Sequence, residues 1–417
     1  MKKLNTRWQT SPICRRLPWT FLILFVYLLG RTLPVPTVSL MSNYLKDENA
    51  NRLLENLATV SGGTFSSITL FSLGLSPYMT GMILWRFLMF FDTFKKMPSK
   101  QIHKSKMILI LIVALIQSFG LTRTASFVTM TTFGQNHQLV FRLITMLIMI
   151  VGAFVLMWLG EMNNQKGIGS TMIIIISNMI LGFLTSLYTF LTSNTFTLLE
   201  LVRSVCLFGF GIAILVGIAV ITYRAEYRIR IRRINIVSSF SEETYLPIKL
   251  IPAGGMPFMY GMTLMILPPL IVSGLLSIFP NDETLKYLSS NVGLTQLPGV
   301  LFYIALLAIL SIGFSYYNYD PSDMAENMQL HGDYIEYVRP GKDTADYINH
   351  YLKYLIAIGT IFVMVMGGGP MLVRWSQGGE VTLVLLITNV YIVTILMMSI
   401  VEQIETLQSW KRYQKLF

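Results

Sequence analysis

The sequence predicts an all-α polytopic membrane protein, ten transmembrane helices in two pseudo-symmetric five-helix halves. Three observations predict it. Hydrophobic residues make up 53% of the 417 and charged residues only 13%, with a mean hydropathy of +0.59; that balance, with repeated long apolar runs, marks helices packed in lipid. The runs themselves number ten, at 17–33, 73–91, 107–127, 139–160, 168–190, 198–222, 252–279, 297–317, 350–372 and 380–400. Two of them, the second and the seventh, are interrupted by Gly and Pro at comparable places, the mark of a two-fold repeat around a central site. The halves are expected at 1–190 and 191–417.

The chain opens on a basic, polar stretch, residues 1–16, with no small-residue cleavage site after the first apolar run, so a retained first span is expected. The second run is unusual. Residues 53–91 carry Ser61-Gly62-Gly63, several hydroxyls and Gly74 before Pro77, and only 78–91 is densely apolar. That is about fourteen residues where a full crossing needs roughly 20. Proline suits the first turn of a helix and breaks an interior. The reading is a loosely held first part, a break, then a half-helix. Broken backbone at membrane depth is tolerated only where protein or a water-filled cavity satisfies it. The segment therefore implies a cavity. The seventh run, with IPAGGMPFMYGMTLMILPP over 251–269, repeats the pattern.

The net charge of +11 is mostly topology. With the N-terminus inside, the cytoplasmic pieces hold 23 of the 32 Lys and Arg, which places both termini in the cytoplasm and agrees with an even number of spans. One cytoplasmic piece carries more charge than topology needs, and another is unusually long. In 223–250, Arg228, Arg230 and Arg232 alternate with Ile229 and Ile231, a period of two that suits an extended ribbon, followed by Arg233. The 317–353 connection is long and polar, and Asp320-Pro321 and Arg339-Pro340-Gly341-Lys342 argue for a turn-rich hairpin. The basic ribbon reads as a docking surface, with an over-endowed positive-inside loop as the plainer reading.

Chemistry is mostly absent. No phosphate-binding loop, HExxH or GxSxG occurs, and His103, His137, His331 and His350 are scattered. No enzymatic activity, cofactor or metal is expected. The interior offers no chain of Asp and Glu for coupling protons or sodium. Met79 and Ile83, Met172 and Ile176, and Met259 and Thr263 are each four apart and so share helix faces. An apolar collar with methionines can exclude water and adapt to varied outlines; ordinary helix packing gives the same spacing. Arg86, inside the apolar half-helix, either faces a cavity or snorkels to the cytoplasmic interface.

Several stretches resemble one family, SecY, the channel subunit of the Sec protein translocase. SGGTFSSITLFSLGLSPYMTGMILWRF at 61–87 is similar to its plug and second helix. FVLMWLGEMNNQKGIGSTMIIII at 154–176 resembles its fourth-to-fifth helix turn, and YLPIKLIPAGGMPFM at 245–259 its approach to the seventh helix. PSDMAENMQLHGDYIEYVRPGKDTADY at 321–347 matches its large loop after helix eight, and RTLPVP at 31–36 the end of its first helix. The resemblance implies a clamshell around an hourglass pore, with a lateral gate between helices two and seven flanked by three and eight. It also implies a pore ring of Met79, Ile83, Met172, Ile176 and Met259, with Leu385 the tenth-helix member. A plug within 57–72 would include Ser61, Gly62, Gly63, Phe65 and Ile68. Arg228, Arg230, Arg232, Arg233, Arg339 and Lys342 would form the cytoplasmic docking site.

The implied partners are a SecA-type motor ATPase, SecE/SecG-like or accessory small membrane subunits, preprotein cargo and the lipid bilayer of the cell membrane, with a ribosome as the alternative docking partner. Departures matter too. The ring is methionine-rich where the family favours isoleucine, Arg86 stands where Gln is common, and Ser170-Thr171 replaces Asn-Gly. These resemble the accessory Sec branch of Gram-positive cocci, which implies export of serine-rich glycosylated adhesins with an accessory SecA. The alternatives are a general housekeeping SecY channel or an inverted-repeat secondary transporter of small solutes. An intramembrane protease ranks third, for want of a nucleophile or metal set.

Overall fold

The computed structural model describes residues 12–37, 68–89, 94, 97–124, 137–193, 198–233, 244–278, 282–291, 296–377 and 381–413. The first five helices are α1 (Pro12–Thr32), α2 (Ser76–Leu88), α3 (Ser99–Thr124), α4 (His137–Lys166) and α5 (Met172–Ser193). After α6 (Leu198–Arg224) come the strands β1 (Glu226–Arg233) and β2 (Thr244–Lys249), then the short helices α7 (Met256–Met265), α8 (Leu267–Ile278) and α9 (Glu283–Asn291). The remainder is α10 (Leu297–Asn318), α11 (Pro321–His331), β3 (Asp333–Tyr334), α12 (Lys342–Gln377) and α13 (Val381–Tyr413). Six helical stretches are long and apolar enough to cross a membrane, and Met172–Thr185, Gly209–Arg224 and Met256–Val272 are shorter apolar ones. With the thirteen-residue α2, they occupy the ten places that the apolar runs predict.

Proline punctuates the helix starts. Pro77, Pro257 and Pro298 sit in the first turns of α2, α7 and α10, where a missing N–H costs nothing. The seventh run splits at Ile266 because Pro268 and Pro269 follow at once in α8 and cannot donate back into α7. α11 is bounded by a side-chain cap and a glycine. Asp320 accepts from the Ser322 amide at 3.0 Å, and Gly332 at φ 72° closes the other end.

Packing divides the helices into two groups that meet along two seams. α1, α4 and α5 pack together, with α2 and α3 beside α4. In the other group α10 packs on α12, α12 on α13, and α13 on α6. One seam joins α2 to α7 and α3 to α8; the other joins α13 to α5 and α1. A single apolar core runs through both groups, from Tyr27 and Leu75 to Phe258, Tyr303 and Tyr391.

The two basic connections, 223–250 and 317–353, build one module. A three-stranded sheet runs β2-β1-β3, with Glu226 opposite Lys249 and Arg233 opposite Asp333. Ile229 and Ile231 point into a second core with Ile248, Met328, Ile348 and Leu352, and the intervening arginines are exposed. The extended ribbon expected over 223–250 is thus β1. The turn-rich hairpin expected over 317–353 is instead a helix, a two-residue strand that pairs with β1, and the start of α12. The reason is local: the Asp320-Pro321 cap starts a helix more readily than a turn, and Met324 and Met328, four apart, pack on the sheet.

Candidate functional site

The α2–α7 seam holds three of the residues assigned to the collar, Met79 and Ile83 on α2 and Met259 on α7, while Met172 and Ile176 stand on α5. Met79, Ile83, Ile176 and Met259 are buried, and Met172 is half-buried against them, all in the one core shared by both helix groups. Contact across the seam is direct: the Thr263 hydroxyl, hydrogen-bonded to the Met259 carbonyl at 2.8 Å, also lies 3.4 Å from the Met79 sulfur. Leu385 lies on α13, and its side chain is outside the described set. No Asp, Glu, Lys, Arg or His is buried among the described residues; the buried polar groups are all neutral, such as Thr80, Gln117, Asn178, Thr263 and Asn389.

Arg86 does not snorkel freely: it is held among aromatic rings at the edge of a small groove. Its guanidinium lies 4.2 Å from the Tyr317 ring centroid, 5.0 Å from that of Phe314 and 5.9 Å from that of Tyr260. Nη1 is 3.6 Å from the Met256 sulfur. Among the described residues it pairs with no carboxylate. Arg86 and Tyr317 also line a small groove of about 30 Å³ between α2 and α10, together with Ile83, Phe87, Leu310, Gly313 and Phe314.

Of the plug residues, Ser61, Gly62, Gly63 and Phe65 lie outside the described residues. Ile68 is described, and it is not loosely held. The Val35 amide donates to the Ile68 carbonyl at 3.0 Å and the Leu70 amide to the Leu33 carbonyl at 3.1 Å, a short antiparallel bridge to the end of α1. Ile68, Phe71, Leu73 and Leu75 are buried, and the Leu70 carbonyl comes so close to Gly152 of α4 that a Cβ there would stand 2.0 Å from it. Leu33, Pro34 and Val35 of the RTLPVP sequence, just past α1, make this bridge. The base of the segment is anchored, contrary to the loose hold that its composition suggests, because backbone pairing and apolar burial do not register as periodicity.

The other seam is tied by the Gly167-Ile168-Gly169 turn. Asn163, fully buried, donates to the Ile168 and Ser170 carbonyls at 2.8 and 2.7 Å. The Ile168 amide donates to Thr20 of α1 at 2.9 Å, and the Gly169 amide to Gln403 of α13 at 2.9 Å. Gly169 sits at φ +82°, and at Gly167 a Cβ would meet the Asn163 side chain at 1.9 Å. One turn thus joins three helices from the two groups at the side opposite α2 and α7.

The SecY family profile matches residues 69–405. The chain belongs to the SecY family. It is 41% identical, over the whole of both chains, to an accessory Sec system protein translocase subunit SecY2 of Streptococcus parasanguinis. It is 31% identical to the corresponding subunit of Streptococcus gordonii, covering 97% of this chain and 98% of that one. Among solved structures, a protein-conducting channel matches with a TM-score of 0.63 at 16% identity, over 94% of this chain and 92% of that one. Sec61 from a canine ribosome–channel complex matches with a TM-score of 0.61 at 16% identity, over 94% of this chain and 92% of that one. These two establish a shared fold.

Within this SecY-family chain the residues expected to dock a partner divide in two. Arg228 is paired at 2.7 Å with Glu226 of its own strand, whereas Arg232 with Glu336, and Arg233 with Asp333 at 3.2 Å, tie β1 to β3 and the residues just after it. Arg230 is exposed on the same strand. Arg339 and Lys342 are exposed, and neither side chain has an ion pair among the described residues. Beside them Tyr337 is fully exposed and holds φ 63°. A tyrosine in the left-handed region is held there at a cost that the fold elsewhere offsets. Sequence reasoning passed over Tyr337, and over Tyr260, Phe314 and Tyr317 around Arg86. Aromatic residues are common in such a chain, and nothing in their spacing marks these.

Proposed function

We propose that the chain is the protein-conducting channel of an accessory Sec translocase, passing unfolded preproteins across the cell membrane, with both termini in the cytoplasm. The observation that carries the reading is the α2–α7 seam, where an uncharged apolar core closes between two helix groups tied together on their opposite side. A seam without buried charge parts without stranding an ion in lipid. The full-length similarity to accessory Sec translocase subunits supports the accessory assignment. Met79, Ile83, Met172, Ile176 and Met259 form the gasket, with Leu385 as the contribution of α13. Energy comes from a SecA-type ATPase that docks on the exposed Tyr337, Arg339 and Lys342, and small membrane subunits complete the complex. Unbranched methionines suit a bulky cargo such as a serine-rich glycosylated adhesin, because they adapt to irregular shapes.

The test is reconstitution of the chain with its motor and small subunits in sealed vesicles, scoring ATP-dependent protection of a preprotein from added protease. Protection that needs both ATP and this chain is expected. Uptake of a small solute on an ion gradient, with no protein protected, refutes the reading in favour of a secondary transporter. The cargo proposal is tested by Met79→Ile with Met259→Ile: export of a glycosylated reporter falls more than export of its unglycosylated form, and equal effects on both remove it.

A further inference from the structure

The cage around Arg86 is built from both sides of the seam. Arg86 lies in the last turn of α2, Met256 and Tyr260 are on α7, and Phe314 and Tyr317 are on α10. Tyr260 and Phe314 stack on each other with centroids 5.1 Å apart and planes at 22°, so they form one continuous wall facing the cation. Among the described residues, α2 and α7 also meet in the weak Thr263–Met79 hydroxyl–sulfur approach. The position matters as well. α2 runs from the buried Leu75 to the basic cytoplasmic connection that follows it, so the cage stands at the cytoplasmic mouth of the seam.

We propose that Arg86 is the latch of the gate, a positioning residue whose guanidinium, held against aromatic rings of α7 and α10, sets how readily the α2–α7 seam opens to an incoming apolar segment. The proposal rests on the channel reading above. Its physical logic lies in the kind of bond. A buried ion pair broken by gate opening leaves two charges without partners and costs several kcal/mol. A guanidinium on aromatic faces is weakly hydrated and attracted by less than that, so an arriving apolar helix of moderate strength can displace it. The groove beside the cage, lined by Ile83, Phe87, Leu310 and Phe314, is where such a helix takes over the apolar contacts. Tyr317, 59% exposed, is the ring by which the cage meets lipid.

The experiment measures opening directly. The full chain, with Cys14→Ser and Cys206→Ser to remove its two free thiols, carries Leu310→Cys on the buried wall of the groove, where Leu310 is 1% exposed. In vesicles, the rate at which a small maleimide labels that cysteine reports the open fraction. R86M, which keeps the apolar stem and removes the cation, is expected to speed labelling about tenfold, the equivalent of ~1.4 kcal/mol. R86K, which keeps the charge but not the planar face, is expected to fall between. Y317L is expected to speed labelling less, and R86M with Y317L to be no faster than R86M alone, because the two act through one contact. Labelling of R86M at the wild-type rate overturns the latch, and so does a double variant whose effect is the product of the singles. Should R86M fail to fold, R86K and Y317L with their double variant decide the same question. In the otherwise wild-type chain, labelling must also accelerate when the motor engages a preprotein. A rate indifferent to engagement removes the gate reading itself, with or without an effect of R86M.

Discussion

Gly152→Ala is the sharpest perturbation the structure offers to the anchored base of the plug segment. The new Cβ would stand 2.0 Å from the Leu70 carbonyl oxygen and 3.1 Å from its carbon, both backbone atoms. No rotamer change relieves that contact, so α4 and residues 68–75 must separate by about an ångström or more before ordinary packing returns. Separation strains the two backbone hydrogen bonds that pin the segment, Val35 to Ile68 and Leu70 to Leu33, each contributing about 1 kcal/mol. Overpacking of this kind costs about 1–3 kcal/mol, against which Ala in a helix recovers up to ~1 kcal/mol over Gly. A net shift of about 1–2 kcal/mol raises the displaced population roughly 5- to 30-fold. Gly217→Ala is the control. It makes the same change in α6 with nothing within 4 Å of the new methyl, and is expected to be neutral or slightly stabilising. The assay is ion efflux from vesicles holding the resting channel, with Tm in detergent beside it. G152A is expected to leak and to melt lower while G217A does neither. A G152A channel as tight and as stable as wild type would refute the claim that 68–75 is held against α4.

Asn163→Ala removes both donors that close the turn after α4 and strands two carbonyls in a buried site, at about 1–3 kcal/mol each. A lowered Tm and faster proteolysis between α4 and α5 are expected, and an unchanged protein would dismiss the turn as a tie between the seams. Arg339→Glu is expected to abolish motor binding, measured by co-sedimentation with vesicles, and to leave folding intact. Arg232→Glu, which sets two carboxylates together at Glu336, is expected to loosen the sheet as well, so its proteolysis pattern changes where that of Arg339→Glu does not. Asp320→Ala removes the cap of α11 and is expected to cost about 1 kcal/mol, read as an earlier loss of helicity in the module built around the sheet.

Much of this protein is determined by its sequence alone. Runs of apolar residues too long for anything but a lipid-crossing helix locate the spans, because lipid leaves backbone polar groups no partner but each other. Pro77, Pro257 and Pro268 locate the breaks, because proline lacks the donor that a helix interior needs. The alternation of Arg and Ile locates β1, because successive strand side chains face opposite ways. Tertiary structure decided what these elements touch. It pinned Ile68 to Val35 and Leu70 to Leu33, joined β3 to β1 rather than leaving a hairpin, and paired the exposed Arg232 and Arg233 with Glu336 and Asp333. It also carried Tyr260, Phe314 and Tyr317 to Arg86 from more than 170 positions away. Local pattern reports the solvent a segment expects on each face. Which distant group supplies that face is a property of the folded chain, since a contact so remote in sequence leaves no period to read.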